Sequence, residues 1–194
     1  MSTPIIFKKI QTTHRAHEQV RREVIAAANE AISKSKRAIF ALHRDDKNSA
    51  QTFLKEAEVL FTKCENKFKN IQSLKFEGAY RAALEEYAEA LLFEQYLSTG
   101  KIGAINARAM DPLVYLSGLS DTTGEIVRYT LRSITHGKTN RVIQARDTVE
   151  MIIEFMLDLD ATGYLRTKFD QAKGNLKRLD DMLYDLSIRK SLDV

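Results

Sequence analysis

A seam of apolar residues, Val20, Val24, Ala27 and Ala28, Ala31, Ala38 and Leu42, runs through residues 12–43 at helical spacing, with charges elsewhere. A stripe of that length predicts one long helix, and a helix can bury its stripe only against another element. No strand-like alternation and no Asn-Gly hairpin turn stands out in the chain, so the partners are helices. Asp45-Asp46-Lys47-Asn48-Ser49 is a polar break, followed by a helix over about 49–69 with Phe53, Leu54, Ala57, Leu60 and Phe61 on one side. Lys69-Asn70 is a stop, and Ser73 is the expected N-cap of a third helix reaching about Ser98. Gly100-Lys101-Ile102-Gly103 reads as a loop and Asp111-Pro112 as a helix start with proline in the first turn. Residues 116–121 lead into a helix to about His136, which Gly137-Lys138-Thr139-Asn140 ends. Further helices cover about 141–159 and 165–188, with Gly163 between them. The expectation is one all-α domain over residues 1–194, of six or seven helices packed antiparallel, with 1–11 as an N-terminal arm.

Two prolines and eight glycines are few, which suits long helices. No stretch approaches the ~20 apolar residues needed to cross a bilayer, so no membrane partner is expected. The opening Met1-Ser2-Thr3-Pro4-Ile5-Ile6-Phe7-Lys8-Lys9 lacks the charged start, apolar core and cleavage site of a signal peptide. The single cysteine, Cys64, cannot form an internal disulfide, which fits a reducing compartment, and the expected location is cytoplasmic.

Charge is uneven. Residues 1–50 hold ten Lys/Arg against five Asp/Glu, while the other 144 residues hold 20 against 21. The excess positive charge is either a phosphate-binding surface or a solvated helix face, and charge alone does not decide between them.

Glu86 and Glu89 stand where a helix should be apolar. Wound at 100° per residue, the segment 79–97 puts Ala79, Ala82, Ala83, Ala90, Phe93 and Leu97 on one stripe, with both glutamates inside it. Carboxylates rarely lie in such a stripe unless something offsets their desolvation. Asp121 and Glu125, at i,i+4, form a second acidic pair at the expected start of another helix. These carboxylates could together hold Mg2+ or Mn2+, which prefer hard oxygen ligands, and such an ion could activate water at a phosphodiester. Arg128 and Arg132 continue the Asp121/Glu125 face and could hold phosphate oxygens. The bland alternatives are a surface glutamate pair, a Thr122-x-x-Glu125 capping box, and a simple Arg128–Glu125 ion pair. Other chemistries lack their motifs: no Cys-x-x-Cys, no Glu-x-x-His, no P-loop and no dinucleotide fingerprint.

The run Glu86-Tyr87-Ala88-Glu89-Ala90, followed by Phe93, Gln95 and Tyr96, resembles the Glu-Tyr-Val-Glu-Ala helix of the factor X branch of the translin family. Pro112 to Arg128, with Leu116-Ser117-Gly118-Leu119-Ser120-Asp121-Thr122-Thr123-Gly124-Glu125 at its heart, is similar to that branch's Asp-Tyr-Leu-x-Gly-x-x-Asp-Leu-Thr-Gly-Glu-Leu-x-Arg segment. Leu183-Tyr184-Asp185-Leu186-Ser187-Ile188-Arg189 resembles the close of translin itself. The resemblance spans about residues 12–190 and implies a seven-helix fold assembling into a hollow octamer that binds single-stranded nucleic acid and structured RNA. In the factor X branch it implies RNA cleavage with Mg2+, with Glu86, Glu89 and Asp121 at the matching positions and Glu125 as a fourth acid. Two departures stand out: Thr122 replaces the family's usual Leu, and 99–111 lacks the long insertion of eukaryotic factor X. Catalytic acids combined with a scaffold-like tail imply a homo-oligomer, as in simpler archaeal or other prokaryotic relatives.

Two functions follow. One is a Mg2+-dependent (or Mn2+-dependent) endoribonuclease with Glu86, Glu89, Asp121 and Glu125 at the metal and Arg15, Arg21, Arg22, Arg37, Arg128 and Arg132 along the nucleic acid, the α-helical arginines being assigned by charge. The other is a catalytically silent scaffold that binds RNA or single-stranded DNA, its acids serving as internal salt bridges.

Overall fold

The computed structural model describes residues 4–105 and 110–192. The first three residues of the expected arm, residues 106–109 of the connection 99–111, and the last two residues lie outside the described residues. The elements are α1 (Ile5–His43), α2 (Lys47–Phe68), a 3-10 turn (Gln72–Phe76), α3 (Gly78–Thr99), α4 (Pro112–Thr135), α5 (Arg141–Leu157) and α6 (Gly163–Leu192). Among the described residues there is no strand, and the seven-helix expectation resolves as six α-helices and one 3-10 turn. No helix among them is long and apolar enough to cross a membrane.

The seam of α1 buries Val24, Ala28, Ala31, Ala38 and Leu42 against α2 and α3. Lys67 pairs with Glu23 at 2.6 Å and Lys34 with Glu56 at 2.6 Å, so α2 descends as α1 rises and the two are antiparallel. The Asp46 side chain accepts from the Ser49 N–H at 3.1 Å and caps α2. Asp111 accepts from the Leu113 N–H at 2.8 Å and caps α4, with Pro112 inside the first turn as expected. α3 packs on α1 and on α4, α4 packs on α5 and α6, and α5 packs on α6. α3 and α4 therefore join the two halves of the bundle.

Three boundaries differ from the sequence reading. α1 begins at Ile5, not near residue 12, because backbone hydrogen bonding propagates the helix past the point where its apolar seam stops. Ser73 does not cap α3: it lies in the 3-10 turn that buries Leu74, and α3 starts at Gly78 behind Glu77. α4 is one helix from Pro112, so Asp121 and Glu125 lie mid-helix, not at a helix start.

α3 and α4 meet at Gly118. A Cβ there would lie 2.7 Å from the Ala88 Cβ, 2.9 Å from the Glu89 N and 3.0 Å from the Glu85 O. Ala88, Ser117, Thr122 and Thr123 around it are all fully buried and small. Gly118→Ala is expected to lower the unfolding free energy by about 1–3 kcal/mol through overpacking against backbone. Gly174→Ala, in α6 where a Cβ meets nothing within 4 Å, should instead stabilise by up to about 1 kcal/mol, and urea unfolding of both variants checks the contrast.

Candidate active site

The Gly118 crossing places the second turn of α4 on the third turn of α3. The Thr122 hydroxyl donates to the Gly118 carbonyl at 2.7 Å and approaches the Glu89 carbonyl at 3.4 Å. Thr122 is thus a buried packing residue, and the capping-box reading of Thr122 and Glu125 does not hold. Asp121 and Glu125, on either side of it in sequence, stand beside Glu86 and Glu89 closely enough that both raise the pKa of each glutamate.

Glu89 is 9% exposed, which disposes of the surface-pair reading. Burial, then repulsion from Glu86, Asp121 and Glu125, pushes its carboxyl up to about 9. Glu86, half-buried, is also raised, first by burial, with Lys36 opposing. Ala82, assigned to the same stripe, turns out exposed, while Ala83, Ala90 and Phe93 are buried as expected.

The other acids have cations. Lys168 of α6 donates to Asp121 Oδ2 at 2.5 Å. Lys36 of α1 lies 3.6 Å from Glu86. Glu125 Oε2 is shared by His43 Nε2, in a very short contact, and by Arg128 at 3.7 Å. His43 is buried under Phe93, with ring centroids 4.9 Å apart, and Arg128 also stacks over Phe40 at 4.9 Å. The Glu89 carboxyl makes no hydrogen bond or ion pair among the described residues, Lys168 acting on it only at longer range. It opens instead on a cleft of about 500 Å³ between α4 and α6, lined also by Ser120, Asp121, Gly124, Asn175 and Arg178. Asn175 holds that cleft's far wall by donating to the Thr123 hydroxyl at 2.9 Å.

The arginines assigned by charge do not gather as a group. Arg128 reaches the acids through Glu125. Arg37 is exposed next to Lys36, whereas Arg15 and Arg22 are exposed up to ~30 Å along α1 from Lys36. Arg21 is tied to Glu77 at 2.7 Å and to Glu18 at 3.5 Å. Arg132 is exposed farther along α4 and lines a different cleft. Lys36, His43, Lys168, Asn175 and Arg178 escaped the sequence reading. Only His43 carried a signal, as a histidine at the end of the α1 seam.

Four carboxylates make a donor set suited to a hard dication. Among the described residues, however, no three His, Cys, Asp or Glu side chains stand in an arrangement that would hold a metal ion. Lys168 and Lys36 occupy Asp121 and Glu86, so an incoming ion would have to displace ammonium groups.

The chain matches the Translin family over residues 19–190, and it belongs to that family. It is 22% identical to the Translin-associated protein X of Pongo abelii, over 98% of this chain and 81% of that protein. It is 26% identical to the Translin-associated protein X homolog of Schizosaccharomyces pombe, over 68% of this chain and 62% of that protein. Its fold is that of apo-NeC3PO, with a TM-score of 0.84 at 22% identity over 95% of this chain and 98% of the other. It also superimposes on AfC3PO in a complex with duplex RNA, with a TM-score of 0.82 at 21% identity and the same coverage.

Because the Glu89 carboxyl is raised from 4.5 to about 9 on folding, the folded state keeps a proton that the unfolded chain loses. Its contribution to stability is therefore intact below the lower value, declines as pH rises between the two, and is flat above the higher one. In metal-free buffer, Glu89→Gln should raise Tm, and the gain should widen from about pH 5 to about pH 8 in thermal melts.

Proposed function

We propose that this protein is a Mg2+-dependent (or Mn2+-dependent) endoribonuclease that cleaves single-stranded or structured RNA inside a homo-octameric shell in the cytoplasm, with single-stranded DNA as a second ligand. The observation that carries this reading is Glu89: a buried carboxyl without a partner, facing a cleft and surrounded by three further acids. A structural carboxylate would have its own cation, as Asp121, Glu86 and Glu125 do. Supporting the ligand class are the excess positive charge of the first fifty residues and the fold shared with a protein found on duplex RNA. Supporting assembly are large apolar side chains left exposed at the start of α1 (Ile5, Ile6, Phe7 and Ile10) and on α5 (Ile143, Met151 and Phe155).

Glu86, Glu89 and Asp121 would hold the ion. When bound, it supplies a water of lowered pKa and neutralises charge on the phosphoryl oxygens. The protein's own groups divide the remaining work. His43 and Arg128 engage one oxygen of Glu125, which leaves Oε1 to take the proton of the attacking water. As the water oxygen bonds phosphorus, the P–O bond to the next nucleotide would break and the leaving oxygen would take a proton from solvent water in the open cleft. Lys168, released from Asp121, and Arg178 at the cleft wall balance the negative charge that develops on phosphorus.

Labelled single-stranded RNA incubated with the purified protein and Mg2+ tests the reading. Wild type is expected to cut it and to lose that activity in EDTA. Glu89→Ala should bind RNA with unchanged salt sensitivity yet leave it whole; undiminished cutting by this variant would refute the assignment.

The scaffold reading also has an observation in its favour. Lys36, Arg128 and Lys168 already compensate three of the four acids without any metal, with His43 hydrogen-bonded to Glu125. It requires salt-sensitive RNA binding with no cleavage under Mg2+ or Mn2+.

A further inference from the structure

A second cleft, of about 170 Å³, lies where α4 ends and α5 begins. It is lined by Tyr129, Arg132, His136, Lys138 and Arg141, with Asp45 at its edge. The turn that builds it is fixed by hydrogen bonds: Gly137, at φ 78°, donates to the Ile134 carbonyl at 2.9 Å, and Lys138 donates to the Ser133 carbonyl at 2.9 Å. This closure brings Lys138 back beside the last turn of α4. Arg141 then stacks over the Tyr129 ring at 5.1 Å and donates to its hydroxyl, while that hydroxyl donates to Asp45 at 3.2 Å. His136 turns Nδ1 to the Arg132 carbonyl at 2.8 Å, which leaves Nε2 toward solvent.

The charges here lack compensation. Among the described residues Arg132, Lys138 and Arg141 form no ion pair, and the one acid of the cleft, Asp45, is bonded to Tyr129. Arg132 and His136 sit well at the negative C-terminal end of α4, so they need no ligand to explain them. Lys138 and Arg141 do, because they flank the N-terminus of α5, the end where a helix dipole disfavours cations. That terminus has no acid in its first turn, and Asn140 gives it no side-chain cap. An anion would relieve both deficits together.

The cleft is joined to the acid cluster by one stripe of α4. Asp121, Glu125, Arg128, Arg132 and His136 follow one another at three- and four-residue steps, one stripe along α4. Glu125 and His136 are ~16 Å apart along that axis, within reach of a single nucleic acid strand.

We propose that the α4–α5 cleft is a phosphate-binding subsite, in which Arg132, Lys138 and Arg141 hold backbone phosphates of the RNA whose scissile bond lies at the acid cluster. The subsite rests on the RNA-binding reading above and adds to it the direction in which the strand leaves the acids. Tyr129 offers no base platform there, since its face is covered by Arg141, so the contacts are to phosphate and carry no sequence preference.

Anisotropy of a fluorescent single-stranded RNA in EDTA, across a salt series, tests it. The double variant Arg132→Gln/Lys138→Gln removes two exposed, unpaired cations, and its melting temperature should match wild type. Lys55→Gln/Lys63→Gln, on the exposed side of α2, removes the same charge elsewhere. The cleft variant should bind about tenfold more weakly, with a shallower dependence of log K on log salt by about 0.7 per lost contact, and the α2 variant should change far less. Equal weakening by both variants, or none, overturns the subsite and leaves RNA binding standing. Should wild type bind no RNA, thermal shift with inorganic tripolyphosphate decides: a stabilisation lost only in the cleft variant assigns the site to free polyphosphate, and no stabilisation of wild type refutes the site.

Discussion

The site depends on one close contact, the crossing of α3 and α4 at Gly118. Only a residue without a side chain lets α4 lie against the α3 backbone at Glu85, Ala88 and Glu89. The approach is extended by small buried residues on both helices, Ala88 on one and Ser117, Thr122 and Thr123 on the other. It is tight enough that the Ser117 hydroxyl is buried without a hydrogen-bond partner among the described residues. The same closeness forces Glu89 out of water and brings Asp121 and Glu125 alongside it. Geometry and electrostatics thus share a cause: the helices could not be packed this way without crowding four acids together.

Crowding of that kind costs free energy unless charge is balanced, and the balance comes from three other directions. Lys36 enters from α1, Lys168 from α6, and Arg128 from α4 itself, while His43 of α1 hydrogen-bonds Glu125. Burial lowers the pKa of Lys168, yet its bond to Asp121 and the charge of that carboxylate outweigh burial and raise it overall. It is therefore a firm ammonium. Glu89 alone lacks such a partner, and with its pKa near 9 it carries a proton at neutral pH. A dication that bound Glu89 would have to release that proton. At neutral pH the cluster therefore has a proton at Glu89 and basic side chains at the other three acids.

Much of this was legible in the sequence, for reasons that can be stated residue by residue. Glu86 and Glu89 were visible because they interrupt an alanine stripe, and periodicity reports burial within one helix. Asp121 and Glu125 were visible as a pair, although their place mid-helix was not, since the Gly118-Leu119-Ser120 stretch resembles a break and only packing keeps it helical. The translin resemblance then connected the two pairs, which spacing could not do. What stayed hidden depends on contacts between distant elements. Lys168 and Asn175 meet α4 only because α6 docks there, 47 and 52 residues away in sequence. His43 and Glu125 are 82 residues apart. The extension of α1 back to Ile5 was hidden differently: exposed Ile5, Ile6, Phe7 and Ile10 have no seam to join within this chain.

The position of α6 gives the cluster its access. Lys168 ties it to Asp121 and Asn175 ties it to Thr123, two points about two turns apart on α6, and the open cleft lies between them. On the proposed function, a phosphate entering there would meet Arg178 in the same cleft as Glu89 and Asp121, the latter bonded to Lys168. Without those two cations a phosphodiester in the cleft would face the Asp121 carboxylate uncompensated. Lys168 therefore has two possible anions and one charge: Asp121 at rest, and phosphate once another cation satisfies Asp121. On the proposed function, that exchange would link binding at the acids to binding in the cleft, because occupancy of either would make the other more favourable. The ion pair between α4 and α6 would then be the joint through which the two halves of the site communicate.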